Sequence, residues 1–231
     1  MGWRNPQRRR RPAMQRSPLR DDVAGLVMLV CGMIITPDIL TGRATTLVPL
    51  SSDHDAELKA ACDADQDIWN LYPIRMNGDA YDGWRKGVDD RVASGVAVAY
   101  AILHDGRTVG VSLFAIDGPN RRVEIGNTYL HPETRGGVVN PESKMLMIGH
   151  AFDCGVNCVA FKVDALNERS RRAVLKLGAH QDGIIRADRI TWTGRVRDTV
   201  NFSILPGEWP SIRERLDARI CKLLAPNRDA F

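Results

Sequence analysis

From residue 43 onward the chain switches between period-two and period-3.6 hydrophobic patterns, which predict a succession of strands and helices. Residues 43–50 (RATTLVPL) predict a first strand, and residues 53–64 a helix capped by Ser51, Ser52 or Asp53. An aromatic connector, Trp69-Asn-Leu-Tyr72, leads to a second amphipathic helix over residues 79–94. Residues 96–103 and 108–116 flank Asp105-Gly106, a pair that favours the tight primed turn of a hairpin. Residues 121–130 (RRVEIGNTYL) alternate as a further strand. A helix over 141–153, a strand over 159–165 and a helix over 168–177 come next, then paired strands over 184–192 and 198–205 and a last helix over 209–224.

The order β-α-α-β-β-β-α-β-α-β-β, with a late β-α-β crossover, predicts an α/β chain (α+β mixed sheet) whose central twisted sheet carries helices on both faces. A composition of 44% apolar and 26% charged residues suits one globular core. The formal charge of +4 is misleading, because residues 1–20 hold seven arginines and no acid; without those seven the remainder carries −3. The body is mildly acidic and shows no nucleic-acid footprint. Five cysteines without disulfide or zinc spacing fit a reducing, cytoplasmic setting.

Residues 23–35 form an apolar run of roughly 13 residues, short of the ~20 that a membrane-spanning helix needs. Residues 1–35 are therefore read as an extension, either disordered or translated from upstream of a true start near Met33, with the domain over residues 36–225 and no membrane partner.

Two predicted helix starts follow strand-like runs. In the first, Arg135-Gly-Gly-Val-Val-Asn-Pro-Glu-Ser-Lys144, Asn140 reads as the N-cap and Pro141 as the first helical residue, with Gly136 and Gly137 leaving room for an anion and Arg135 supplying charge. In the second, Asn167 caps a helix that Gly178 closes, with Ser170 one turn in. Both would lie at the carboxyl edge of one sheet, where α/β proteins bind ligands.

Glu124-Ile125-Gly126, Thr128-Tyr129, the 135–144 run, His150-Ala151-Phe152 and Asp164-x-x-Asn167-x-x-Ser170-x-x-Ala173-x-x-Lys176-Leu-Gly-Ala179 together resemble the GNAT superfamily of acyl-CoA-dependent N-acetyltransferases. The branch they are most similar to is the ribosomal-protein alanine N-acetyltransferases (RimJ/RimL type), mostly bacterial. The resemblance covers residues 40–220 and implies a GNAT-like fold that uses acetyl-CoA as co-substrate and needs no metal. It implies coenzyme pyrophosphate on the backbone of Arg135, Gly136, Gly137, Val138, Val139 and Asn140. It also implies a pantetheine arm along Thr128, Tyr129 and Leu130, with contacts from Asn167 and Ser170. Val138 and Asn140 depart from the usual glycine-rich loop. Val174 stands where many members carry a general-acid tyrosine.

Amide formation needs a neutral amine, and an α-amine with pKa about 7.7 to 8.0 supplies one far more readily than a lysine, which needs about three units or roughly 4 kcal/mol of help. Glu124 is the candidate base, directly or through water, with a strand-face ion pair to Arg121 or Arg122 as its structural alternative. Tyr129 is the nearest phenol in sequence and completes the candidate catalytic pair. His131 and His150 read as structural. The expected acceptor is a protein N-terminal or peptide amine, with small amines or a non-catalytic acyl-CoA-binding role as alternatives, in a monomer or homodimer.

Overall fold

The computed structural model describes residues 33–225, so the reading of the N-terminal extension falls almost wholly outside the described residues. Strands β1 (Leu40–Thr41) and β2 (Thr45–Pro49) precede helices α1 (Asp55–Asp63) and α2 (Tyr81–Ala93). A meander of β3 (Ala97–His104), β4 (Arg107–Asp117) and β5 (Arg122–Leu130) follows. Helix α3 (Val139–Asp153), strand β6 (Cys158–Asp164) and helix α4 (Glu168–Leu177) make the crossover, the hairpin β7 (His180–Ile190) and β8 (Val196–Ile204) comes next, and α5 (Trp209–Leu224) ends the described chain. All eight strands join one sheet in the order β1-β2-β3-β4-β5-β6-β8-β7, with β5–β6 the parallel pair.

Period-two alternation sends each strand's apolar residues to two cores. Val98, Tyr100, Phe114, Val123, Ile125, Phe161 and Phe202 face α3, α4 and α5, which contribute Met147, Ile148, Val174, Leu177, Ile212 and Leu216. Ala99, Val111, Leu113 and Tyr129 face α1 and α2, with Leu58, Trp69, Trp84 and Val88. Burying a large apolar side chain of this kind contributes about 2 kcal/mol, so each helix layer is fixed by several such contacts. Met33 and Ile35, ahead of the expected domain start, are buried in the first core.

Local departures from the expected bounds have visible causes. Residues Ser52–His54 wind as a 3-10 turn, which delays α1 to Asp55. The connector is not loose: Asp67–Leu71 form a 3-10 helix that buries Ile68 and Trp69. Strand β7 starts at His180 because His180 already pairs with Ser203. The Asp105-Gly106 turn has the positive φ angles, 50° and 75°, that the pair predicts.

Candidate active site

β5 and β6 run parallel but pair only at Arg122–Cys158, Val123–Val159 and Glu124–Ala160. Beyond Glu124 they part, and β6 keeps its ladder with β8 from Val159–Ile204 to Asp164–Thr199. A bulge bends β5 at this point, for the β4–β5 register shifts between Val111 and Leu113 and Asn127 takes φ 48°. Gly110 lets the strands approach there; a Cβ would stand 2.2 Å from the Tyr129 carbonyl oxygen. The parted strands leave a cleft of about 280 Å³ lined from both faces of the sheet.

On the α3–α4 side the lining includes Arg135, Gly136, Asn140, Asn167 and Ser170, so the two helix starts do meet at one cleft. Gly136 needs its left-handed φ of 81°, and nothing lies within 4 Å of where its Cβ would be. Asn140 is not the N-cap. Helix α3 begins two residues earlier than expected, at Val139, after Val138 in a cap position with no side-chain hydrogen bond, which places Asn140 and Pro141 inside the first turn. The first-turn N–H groups are thus left for another acceptor. Gly137, Val138 and Val139 do not line the cleft, and Val139 is buried in the core.

Arg135 is not a free cation. One terminal nitrogen contacts the Asp65 carboxylate, Nε donates to the Leu130 carbonyl at 2.9 Å, and the guanidinium lies 5.3 Å from the Tyr129 ring centroid. Asp65 answers with a carboxyl held below its usual range, chiefly by that hydrogen bond. Glu142, in the first turn of α3, is buried; its carboxylate accepts the backbone N–H groups of Arg43 at 2.7 Å and Ala44 at 2.9 Å. Asn167 does cap α4, its Oδ1 accepting from Ser170 N at 3.0 Å, and Gly178 closes that helix at φ 99°.

Thr128 and Leu130 line the cleft, but Tyr129 does not. Its phenol is 1% exposed, donates to the Ala61 carbonyl at 2.5 Å and stacks on Trp69 with centroids 4.7 Å apart. Alternation along β5 turns it into the α1–α2 core, which removes it as a proton donor. Tyr72 lies at the cleft instead, with Oη donating to the Thr128 carbonyl at 2.7 Å and burial pushing the phenol up to about 12. Its place in the aromatic connector Trp69-Asn-Leu-Tyr72 allows either a core aromatic or a substrate wall, and no spacing rule separates the two.

Glu124 lines the cleft and pairs with Lys162 at 3.0 Å, rather than with Arg121 or Arg122. Arg121 instead donates to the Gly155 carbonyl. Val174 lines the cleft from within the core, as its position predicts.

Sequence reasoning also missed Lys144. It is 5% exposed, and its Nζ donates to Ser112 Oγ at 2.9 Å and Thr128 Oγ1 at 2.6 Å, with those two hydroxyls 2.7 Å from each other. Burial alone pulls its pKa down to about 7. His150 is held by the Thr36 carbonyl, Nε2 to O 2.8 Å, and His131 accepts from Glu133 N, so both are structural. Among the described residues no group of three histidines, cysteines or acids could hold a metal, and no helix is long and apolar enough to cross a membrane.

A family model described as an acetyltransferase (GNAT) domain matches residues 45–180. The chain belongs to this family. A Bacillus subtilis (strain 168) relative, YdaF, provisionally named a ribosomal N-acetyltransferase, is 33% identical over 111 residues, 47% of this chain and 59% of that protein. The match thus spans under two thirds of YdaF. A crystal structure provisionally described as an acetyltransferase from T. thermophilus is 31% identical, covering 80% of this chain and 97% of that one, with TM-score 0.71. Mycobacterium smegmatis RimJ, in complex with CoA-disulfide, matches at 21% identity over 79% of this chain and 95% of its own, with TM-score 0.70, a likeness of fold.

Proposed function

We propose that the chain transfers the acetyl group of acetyl-CoA to the α-amine of a peptide or protein N-terminus, by direct attack with both substrates bound. The reading is carried by the cleft between β5 and β6, lined from both faces of the sheet. A thioester laid along the open part of β5 from the α3–α4 side meets an amine entering from the α1–α2 side. No covalent relay through the protein is required.

The cleft-lining N–H groups of Gly136 and Asn140 take the pyrophosphate, and Gly136 gives it unobstructed access. Arg135, tied to Asp65, shapes that loop more than it supplies charge. Asn167 and Ser170 border the pantetheine arm. The amine nitrogen attacks the thioester carbon, whose oxygen is polarised by a β5 N–H beside the bulge. Glu124, oriented by Lys162, accepts the amine proton directly or through water. The C–S bond breaks, and the thiolate, with pKa near 8.5 for a free thiol, takes a proton from Tyr72 or from solvent. Tyr72 is kept protonated by burial and so can donate.

The peptide acceptor is favoured over lysine because Glu124 is a weak base and an α-amine needs little help. The test is acetyl-CoA with N-terminal peptides and small amines, followed by free-thiol release. Acetylation of peptide α-amines above small amines supports the reading. Tight acetyl-CoA binding with no thiol release on any acceptor would overturn it in favour of a binding domain.

A further inference from the structure

The acceptor side of the cleft holds more cations than acids, and the surplus falls on one buried side chain. Arg197 lines the cleft with its side chain 4% exposed. Its Nε has no hydrogen-bond partner, and the nearest acid, Asp164, stands 3.9 Å away. That acid is already engaged: Oδ2 accepts from Arg195 at 2.5 Å and Oδ1 from Leu166 N at 2.9 Å. Asp188, the next acid, accepts from Thr199 Oγ1 at 2.8 Å and pairs with Arg189 at 2.9 Å. Glu124 is paired with Lys162.

Four cations, Lys162, Arg189, Arg195 and Arg197, therefore share three acids, and among these four Arg197 is the one held only by a long 3.9 Å contact, with its buried Nε making no hydrogen bond. Thr199 faces Asp164 across the β6–β8 ladder, so Arg197, two residues before it, points to the same face as Asp164 and Lys162. This is the α1–α2 face, where Leu71, Tyr72 and Pro73 also line the cleft. A guanidinium offers five donors, and a buried one such as this Nε left without an acceptor is costly unless a ligand supplies it.

We propose that Arg197 is an acceptor-binding residue for a carboxylate carried near the reacting amine. The carboxylate comes either from an acidic side chain close to a peptide N-terminus or from the carboxyl group of a free amino acid. The planar fork of the guanidinium suits a carboxylate in bidentate fashion. The inference rests on reading the cleft as an amine acetyltransferase site, and its test separates the two.

Protein saturated with coenzyme A is titrated by calorimetry with C-terminally amidated peptides that differ only by Asp or Asn at the second position, and with alanine and alaninamide. The same acceptors are assayed for thiol release with acetyl-CoA. The wild-type chain is expected to bind one carboxylate ligand, peptide or amino acid, at least tenfold more tightly than its neutral isostere; which one names the source. Arg197→Gln is expected to lose that preference while keeping coenzyme A affinity, which also shows that the variant is folded. Equal binding of both members of both pairs by the wild-type chain overturns the inference, as does an unchanged preference in the folded variant. Acetyl transfer without charge preference would sink the subsite and leave the enzyme standing. Selective binding without transfer on any acceptor would do the reverse.

Discussion

Replacing Lys144 with methionine should stabilise the protein at neutral pH and remove part of its pH dependence. The lysine is buried against two hydroxyls with no carboxylate partner, and its pKa falls from 10.5 to about 7. Between those values the unfolded chain holds a proton that the folded chain has released, so stability rises with pH across the window. Below about 7 both states are protonated and the full cost of burying the ammonium is present. A difference of three to four units corresponds to about 5 kcal/mol. Methionine has a similar length and removes the charge, while Ser112 and Thr128 keep their mutual contact of 2.7 Å. Urea melts of both proteins at pH 6, 7, 8, 9 and 10 measure the difference directly, because cysteines and tyrosines titrate alike in both. Lys144→Met should be more stable by several kcal/mol at pH 6, with the gap closing towards pH 10. Parallel stability curves over that range would refute the argument, and so would a variant less stable at every pH.

Three further outcomes follow from the site. Tyr129→Phe should cost about 1 to 2 kcal/mol in denaturant melts, by removing the bond to the Ala61 carbonyl, yet leave kcat unchanged; a large loss of kcat would return the phenol to the chemistry. Glu124→Gln should lower kcat on an α-amine acceptor by roughly 100-fold at neutral pH with unaltered acetyl-CoA affinity, measured by steady-state kinetics and calorimetry. Gly110→Ala should destabilise the fold by about 2 kcal/mol or more, because its Cβ would stand 2.2 Å from a carbonyl of β5; an unshifted Tm would show that the bulge can yield.

The elements were legible because burial writes itself into local periodicity. Val123 and Ile125 alternate towards one core, and Asn167 with Gly178 bracket α4 by chemistry that acts within a few residues. Asn140 misled for the same reason. Asn-Pro is the local signature of a helix start, whereas α3 begins at Val139, where packing of that valine into the core sets the entry. What local pattern could not carry is pairing at a distance. Asp65 claims Arg135 from 70 positions away, Tyr72 reaches Thr128 from 56, and Glu142 binds backbone at Arg43 from 99. Lys144 was hidden by its type, since a helical lysine normally reads as surface. Arg197 carries no local sign of burial in a run rich in arginines, and only the register of β8 against β6 turns it inward.

The buried Glu142 bears on how the coenzyme is held. A helix N-terminus attracts phosphate through its partial positive charge, but here a carboxylate in the first turn of α3 already occupies that field from inside the fold. With Arg135 also matched by Asp65, the loop offers directed N–H groups rather than net charge. If this loop takes the diphosphate as proposed, its share of coenzyme affinity should be less sensitive to ionic strength than the share contributed by the cations elsewhere in the cleft, and the loop should select by shape more than by charge.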